Sequence, residues 1–133
     1  MSEILIDHVL LDRVTKAAKE SLRLRMNYNF HESLSSPSQR LLNALEPGTV
    51  LPIHRHRHTA ETYVLLRGRM RVLFYDDDKK EINRYELDPA EGTYGVNIPR
   101  GQWHTIEVLC AGTVIFEVKD GPYIPIALSL IHI

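Results

Sequence analysis

The chain has 133 residues, which suits one compact domain. Its apolar share of 44%, charged share of 25% and net charge of −1 are ordinary for a globular protein and disfavour a nucleic-acid partner. Cys110 is the single cysteine, which excludes an intramolecular disulfide and a thiolate zinc site. The start lacks a signal-peptide pattern and no apolar run reaches membrane-spanning length, so we expect a cytoplasmic protein with no membrane partner.

The N-terminal part is predicted to be helical. Apolar residues recur at three- and four-residue spacing over residues 7–25, and Asp7 suits the N-cap. The polar stretch 27–39 is rich in turn-forming residues and predicts a loop. We therefore expect residues 1–38 to form a helix and a connecting loop that pack on the remaining domain.

Short strand-like runs fill the chain from there onward. We predict strands over residues 40–45, 50–54, 61–67, 69–75, 82–87, 94–98, 104–109 and 113–119. The aspartate run 76–78 lacks the spacing of an EF-hand loop and is expected to be a solvated hairpin turn. This pattern predicts an all-β sandwich or barrel over residues 39–127, with the helix packed outside.

The last six residues, LSLIHI at 128–133, form a separate case. They can be back-translated as CTG TCT CTT ATA CAC ATC, the end sequence of a transposon used widely to prepare sequencing libraries. We therefore expect residues 128–133 to be a sequencing-adapter-derived tail in which His132 is no ligand, leaving the natural C-terminus after Ala127 unknown. A natural terminal strand is the alternative, and resequencing without that library chemistry would distinguish the two.

The segment GTVLPIHRHRHTAETYVLLRG, residues 48–68, concentrates side chains with metal-binding or proton-transfer chemistry. His54 and His56 would project from the same face of a strand, and a hairpin-like return would bring Glu61 beside them. His104 follows a predicted turn and is a candidate fourth ligand from a distant strand. Imidazoles with one carboxylate suit Fe, Mn, Ni, Zn, Co or Cu as a divalent ion, although a proton-transfer site or a polar turn would also use such residues.

The spacing of these residues resembles that of the cupin superfamily. Gly48, His54, His56, Glu61 and Gly68 match every defined position of the first cupin motif. The second motif is similar over Gly92, Pro99, Gly101 and His104, with one extra residue between Gly92 and Pro99, and Val108 where the pattern has asparagine. The resemblance implies a small jelly-roll barrel that holds one divalent transition metal per chain through His54, His56, Glu61 and His104.

A narrower resemblance covers residues 22–123. The stretches MNYNFH, QRLLNALEPGT, LRGRMRVLFYDDD, IPRGQWHTIE and GTVIFEVKDGPY are similar to the WbuC family of cupin-fold metalloproteins. Members of that family often occur with genes for surface-polysaccharide biosynthesis, and the family has no established reaction. The resemblance thus implies the fold and the metal site and leaves open whether the protein is an enzyme.

Four further positions are candidates for contact with a small-molecule ligand. Tyr63 should share the inward face of Glu61, because alternate strand residues project to the same side. Asn27, Tyr28 and Asn29 precede the barrel and are interpreted as a lid over its mouth, with a turn-rich connector as the alternative. His8 and His31 have no evident partner and are expected at the surface.

Three functions are compatible with this pattern. The first is a metal-dependent enzyme acting on a small polar molecule such as a sugar or sugar nucleotide, with His58 as candidate acid/base because an imidazole titrates near neutral pH. The second is a non-catalytic, metal-dependent ligand-binding or sensing module. The third is a barrel whose metal only ties strands together. We also expect a homodimer, since pairing covers the edge strands of such a barrel.

Overall fold

The computed structural model describes residues 2–125, 127 and 131–132. Over these residues the chain forms one α-helix, one 3-10 turn at Pro89–Glu91 and ten short strands. The helix is α1 (His8–Glu20). The strands are β1 (Arg25–Asn29), β2 (Ser38–Leu45), β3 (Ile53–His54), β4 (Glu61–Arg67), β5 (Met70–Tyr75), β6 (Glu81–Leu87), β7 (Gly95–Ile98), β8 (Trp103–Val108), β9 (Thr113–Asp120) and β10 (Ile131–His132).

The strands form two antiparallel five-stranded sheets that face each other. The order is β1-β2-β9-β4-β7 in the first sheet and β10-β3-β8-β5-β6 in the second. Chain neighbours such as β8 and β9 lie in different sheets, so the chain crosses repeatedly between the two layers. This arrangement confirms the predicted all-β jelly roll with an N-terminal helical segment.

The main core lies between the sheets. Its fully buried side chains include Leu45, Met70, Val72 and Leu87, and one face of β4 contributes alternate residues to it. In β4 the buried positions are Glu61, Tyr63 and Leu65. The carboxylate of Glu61 therefore projects from the same face of the strand as the two core side chains. The period of two predicted for the strand is therefore what places Glu61 inside the barrel.

A second core lies outside the barrel, under the helix. Leu10, Leu11, Val14 and Ala18 of α1 pack against the outer face of the first sheet, where Leu42 of β2 is fully buried. The strand β2 is thus covered on both faces, which explains why its sequence has apolar residues in adjacent positions instead of strict alternation. The predicted packing of the helix on the outside of the barrel is observed.

The helix has the predicted start but is shorter than predicted. Asp7 is the N-cap, and its side chain accepts a hydrogen bond of 3.0 Å from the backbone N–H of Leu10. The helix ends at Glu20, and Leu24 adopts a φ of +58°, a left-handed conformation that no helix continues through. The apolar spacing seen beyond residue 20 therefore does not belong to the helix.

The prediction of a loop over residues 27–39 was wrong at both ends, since residues 38–39 already belong to β2. Residues 27–29 belong to β1, which pairs antiparallel with β2 along its whole length. Both faces of this strand include polar side chains, so the sequence lacks the alternation of apolar and polar residues that indicates a strand. Its existence follows from hydrogen bonding to β2.

The C-terminal segment is described only in part. Ile131 and His132 form β10, which pairs with β3 at His54 and Ile53. The remainder of the expected adapter-derived tail, residues 128–130 and 133, lies outside the described residues. Within the described part of the chain, no helix is both long enough and apolar enough to cross a lipid bilayer.

Candidate metal centre

Four side chains predicted as metal donors converge inside one end of the barrel. His54 ends β3, Glu61 begins β4 and His104 is the second residue of β8, whereas His56 lies in the loop after β3. His54 and His104 are directly paired across β3 and β8, which places their side chains on the same face. One nitrogen or oxygen from each of the four residues lies within 4.8 Å of all the others.

The donor atoms are close and well buried. Glu61 Oε1 lies 2.9 Å from Nε2 of His56 and 3.3 Å from Nε2 of His104. The ring centroids of His54 and His104 are 4.4 Å apart, and those of His54 and His56 are 5.1 Å apart. His104, Glu61 and His54 are 1%, 3% and 8% exposed, so the cluster lies in the barrel interior and opens mainly beside His56.

Backbone carbonyls fix which ring nitrogen is available in two of the histidines. Nδ1 of His54 lies 2.9 Å from the carbonyl oxygen of Pro52, and Nδ1 of His104 lies 2.8 Å from that of Gln102. A carbonyl can only accept, so each Nδ1 carries the proton and donates. Each Nε2 therefore presents its lone pair to the centre of the cluster, the arrangement in which a histidine is held as a metal ligand.

The cluster leaves two buried polar atoms in need of a cation. Glu61 Oε1 and His104 Nε2 have no hydrogen-bond partner among the described residues, although they are neighbours. In the neutral ring tautomer both atoms present lone pairs to each other, which costs free energy in a buried site unless a positive charge lies between them. Three imidazoles and one carboxylate are donors that suit a divalent transition metal. The four residues therefore lie close enough, and have the right chemistry, to hold a metal ion.

The protonation states favour the same use. Burial, with a smaller contribution from the charge of His104, lowers the pKa of His54 to about 4. Burial would raise the pKa of Glu61, but hydrogen bonds from His104 and His56, which a proton on Nε2 of these rings would supply in place of a metal ion, outweigh it and hold this pKa well below its usual range. At neutral pH, His54 is thus neutral and Glu61 ionised, which are the states that coordinate a metal without first losing a proton.

Tyr63 supports the carboxylate of Glu61. Burial is the main cause that raises the pKa of the Tyr63 phenol well above its usual value, followed by the negative charges of Glu61 and Glu117. The phenol therefore stays protonated at neutral pH and offers a hydrogen-bond donor to Glu61, its neighbour on the same face of β4. The predicted inward position of Tyr63 is observed, because Tyr63 is buried on the same face of β4 as Glu61.

His58 lies outside the donor cluster. It is exposed and lines a cavity of about 180 Å³ that it shares with His56, Arg57 and Lys119, next to the C-terminal residues around Ile124. The cavity thus reaches from the solvent to one of the four donors. The side chain of His58 lines the cavity that leads from the solvent to His56. Its acid/base role remains a prediction.

The predicted lid residues fall on two different faces. Asn27 and Asn29 line a second cavity together with Glu117. The side chain of Tyr28 lies on the opposite face, where its ring is 5.5 Å from the ring of Phe30 and from the guanidinium carbon of Arg13 in α1. The expected grouping of all three residues was therefore wrong in position, because the segment is a strand and successive side chains project to opposite sides.

Sequence reasoning missed one buried and one half-buried polar residue, His31 and Glu117. His31 was expected at the surface but is only 8% exposed, and its Nδ1 lies 3.0 Å from the backbone nitrogen of Arg40. Glu117 lies in β9 on the inner face of the first sheet, directly opposite Tyr63. In the sequence, Glu117 lies between two apolar residues of the predicted strand TVIFEVKD, and this was the one feature that could have indicated an inward-facing carboxylate.

Glu117 makes the stability of the metal-free protein depend on pH. Burial, then the charge of Glu61, raises its pKa from 4.5 to about 7, while Lys119 acts in the opposite sense. A raised folded-state pKa means that the contribution of this group is fully present below pH 4.5 and is lost as pH rises through about 7.

We therefore expect Glu117→Gln to gain stability relative to the wild type when the pH is raised from 5 to 8. The expected relative gain is about 2 kcal/mol, since each pKa unit corresponds to about 1.4 kcal/mol and the side chain is only partly shielded from solvent. Chemical denaturation of both metal-free proteins at the two pH values measures it. An equal difference at both pH values would contradict the assignment of a raised pKa to Glu117.

Comparisons with known proteins identify the family and the fold. Residues 6–87 match the model of a family described as a domain of unknown function, DUF6016, a match that includes His54, His56 and Glu61. The chain belongs to this family. No curated protein matches the sequence. Membership of the DUF6016 family therefore indicates related sequences but does not indicate an activity.

Solved structures similar to this DUF6016 protein are cupins. The capsular polysaccharide assembling protein CapF from Staphylococcus aureus superposes with a TM-score of 0.61 at 22% identity, over 74% of this chain and 27% of CapF. The cupin domain of Cnp3 from Schizosaccharomyces pombe gives 0.58 at 10% identity, over 72% and 64%. Oxalate decarboxylase from Bacillus subtilis, which has Mn(II) centres, gives 0.57 at 20% identity, over 76% and 26%. The chain thus spans about a quarter of CapF, and these likenesses establish the cupin fold alone.

Proposed function

We propose that this protein is a metal-dependent cupin that binds or acts on a small, oxygen-rich molecule of the sugar or sugar-nucleotide class. The observation that carries the proposal is the buried pair of Glu61 Oε1 and His104 Nε2, two unpartnered acceptors within a set of four converging donors. His54, His56, Glu61 and His104 would hold one divalent transition metal per chain. Such an ion supplies Lewis acidity toward an oxygen ligand.

The cavity beside His56 supports the proposed ligand class. Arg57, His58 and Lys119 line it, so cationic or titratable nitrogens outnumber the single carboxylate, Asp120. Such a wall favours a ligand with carboxylate or phosphate oxygens through charge-assisted hydrogen bonds. In this position His58 would hold or move a proton at the ligand, and Lys119 would orient a negatively charged group.

Two likenesses support a role in surface-polysaccharide metabolism. The sequence resembles the WbuC family, whose members often occur with genes for surface-polysaccharide biosynthesis. CapF is described as a capsular polysaccharide assembling protein, and this chain superposes on about a quarter of it. The proposal leaves the identity of the metal open. It also leaves open whether the protein converts its ligand or only binds it, because the candidate acid/base His58 is exposed and lies outside the donor cluster.

Reconstitution with Co(II) tests the proposal, since its visible spectrum reports the groups around the ion. We expect saturable spectral changes on addition of acetate, D-glucuronate or UDP-glucose, because a ligand that reaches the donors through the cavity at His56 changes their surroundings. Proton NMR of the two sugar ligands then separates an enzyme, which converts one of them, from a binding module, which does not. A Co(II) spectrum that none of the three ligands changes would favour a metal that only ties strands together and would overturn the proposal.

A further inference from the structure

A second polar cavity lies on the inner face of the first sheet. Its volume is about 280 Å³, and its walls include Asn27, Asn29, His31, Glu117, Lys119 and Tyr123. None of these residues belongs to the four candidate metal donors. Lys119 also lines the cavity beside His56, so the two spaces are neighbours.

Strand register explains why these side chains meet. Asn29 of β1 pairs with Leu41 of β2, which pairs with Glu117 of β9, which in turn pairs with Tyr63 of β4. Residues directly opposite one another in antiparallel strands project to the same side, so the four form one row across the inner face. The row connects the cavity, through Tyr63, with the carboxylate of Glu61.

His31 supplies an unsatisfied polar atom at this cavity. Its Nδ1 lies 3.0 Å from the backbone nitrogen of Arg40 and 3.1 Å from the carbonyl oxygen of the same residue. In either tautomer, Nδ1 is therefore engaged, and Nε2 has no hydrogen-bond partner among the residues that the structure describes. A buried polar atom without a partner destabilises the protein, and a ligand hydroxyl would supply the missing hydrogen bond by either donating or accepting.

Glu117 supplies a carboxyl group that can both donate and accept hydrogen bonds. Its side chain is half-buried, and its pKa of about 7, raised by burial and by the charge of Glu61, leaves it partly protonated at neutral pH. A protonated carboxyl donates one hydrogen bond and accepts others. Asn27 and Asn29 add amide groups that also donate and accept hydrogen bonds. Hydroxyl groups do the same, so a ligand with several hydroxyls would be complementary to this wall.

Charge and shape narrow the ligand further. Lys119 and Glu117 have opposite charges when both are ionised, so the cavity has no strong preference for an ion. The ring of Tyr123 is partly exposed and has the ammonium group of Lys119 5.7 Å from its centre. An aromatic face offers apolar contact to the C–H groups of a ring. The cavity volume of about 280 Å³ is just below the range of about 300–1,000 Å³ for drug-sized ligands, which suits a single small ring.

We propose that this cavity binds one neutral, polyhydroxylated ring of the monosaccharide type, with the Glu117 carboxyl, Nε2 of His31 and the Asn27 and Asn29 amides as its hydrogen-bonding groups. The inference deepens and rests on the proposed function, since it names the ligand class of a space next to the same centre. The binding groups are not metal donors, so the cavity is expected to bind its ligand in the metal-free protein as well.

NMR of the metal-free, 15N-labelled protein tests the inference. D-glucose, D-galactose and L-rhamnose are each titrated at millimolar concentrations, with D-glucuronate as the anionic counterpart. We expect saturable shifts of the side-chain amide signals of Asn27 and Asn29 with at least one neutral sugar. Loss of one good hydrogen bond corresponds to about tenfold in affinity, so Glu117→Ala and Asn29→Ala should each weaken the binding by about that factor.

The controls separate this inference from the proposed function. Asn29 is exposed, so Asn29→Ala provides a variant that folds even where Glu117→Ala does not. Asn83→Ala is the matched control, because Asn83 is an exposed asparagine of β6 in the other sheet, and this variant should leave the neutral-sugar affinity unchanged. No saturable shift with any of the three neutral sugars, or shifts with D-glucuronate only, would overturn the inference. A spectral response of the Co(II) protein in the same experiment series would still leave the metal-dependent function standing.

Discussion

Glu61→Gln is expected to reduce bound metal from about one equivalent per chain to nearly none. The substitution keeps the shape of the side chain but removes the only negative charge among the four donors. Loss of a residue that merely supports a ligand costs about 10–100-fold in metal affinity, so loss of a donor should cost well over 100-fold. Elemental analysis of protein purified without immobilised-metal chromatography, before and after reconstitution with divalent transition metals, measures the effect.

Two companion variants sharpen this experiment. His54→Ala/His56→Ala removes two donors and should also abolish binding, whereas His58→Ala is the matched control, since this histidine is exposed and outside the cluster. Circular dichroism establishes that each variant is folded. Full metal content in Glu61→Gln, or a wild-type protein that takes up no metal after reconstitution, would refute the assignment of these residues as a metal centre.

Gly68→Ala is expected to destabilise the protein by about 3 kcal/mol or more. Gly68 has a φ of +93°, a left-handed conformation that costs an alanine about 1–2 kcal/mol. A Cβ at this position would also lie 2.6 Å from the Cα of Thr113 at the start of β9, and Thr113 is fully buried. Forcing extra volume into such a packed site typically costs a further 1–3 kcal/mol or so. Chemical denaturation followed by circular dichroism gives the change in the free energy of unfolding.

Gly92→Ala separates the two contributions to this effect. Gly92 also has a positive φ, +84°, but a Cβ there would meet nothing within 4 Å. The variant should therefore lose only the conformational contribution, about 1 kcal/mol. Equal losses in the two variants would show that the close approach of β9 to Gly68 has no energetic weight.

The candidate metal donors could be predicted from sequence because their geometry is mostly local. His54, His56 and Glu61 lie within eight residues, so the short chain between them keeps them close and Glu61 begins the next strand. The prediction that His54 and His56 share one strand face was wrong for His56, because β3 ends at His54 and His56 lies in the loop that follows. His104 is far away in the chain and was found through its turn and its motif spacing. The structure adds its direct pairing with His54 and the two carbonyl contacts that orient the rings.

The strand β1 shows where such reasoning fails. Its side chains are mostly polar, so no alternation of apolar residues marks it, and the same residues also suit a turn-rich loop. It is a strand because β2 offers it a complete antiparallel partner. That error also placed Tyr28 with Asn27 and Asn29, although strand geometry assigns it to the helix side.

The sequence by itself determined the class of fold, the packing of an amphipathic helix against it, and a set of donors suited to a divalent metal. These follow from periodicity and spacing over short stretches, where the covalent chain limits the possible geometry. Only the tertiary structure decided the polar cavity of Glu117, His31 and Asn29. Its residues are far apart in the chain and meet through the register of three strands, and the cost of leaving Nε2 of His31 without a partner exists only once folding has buried it.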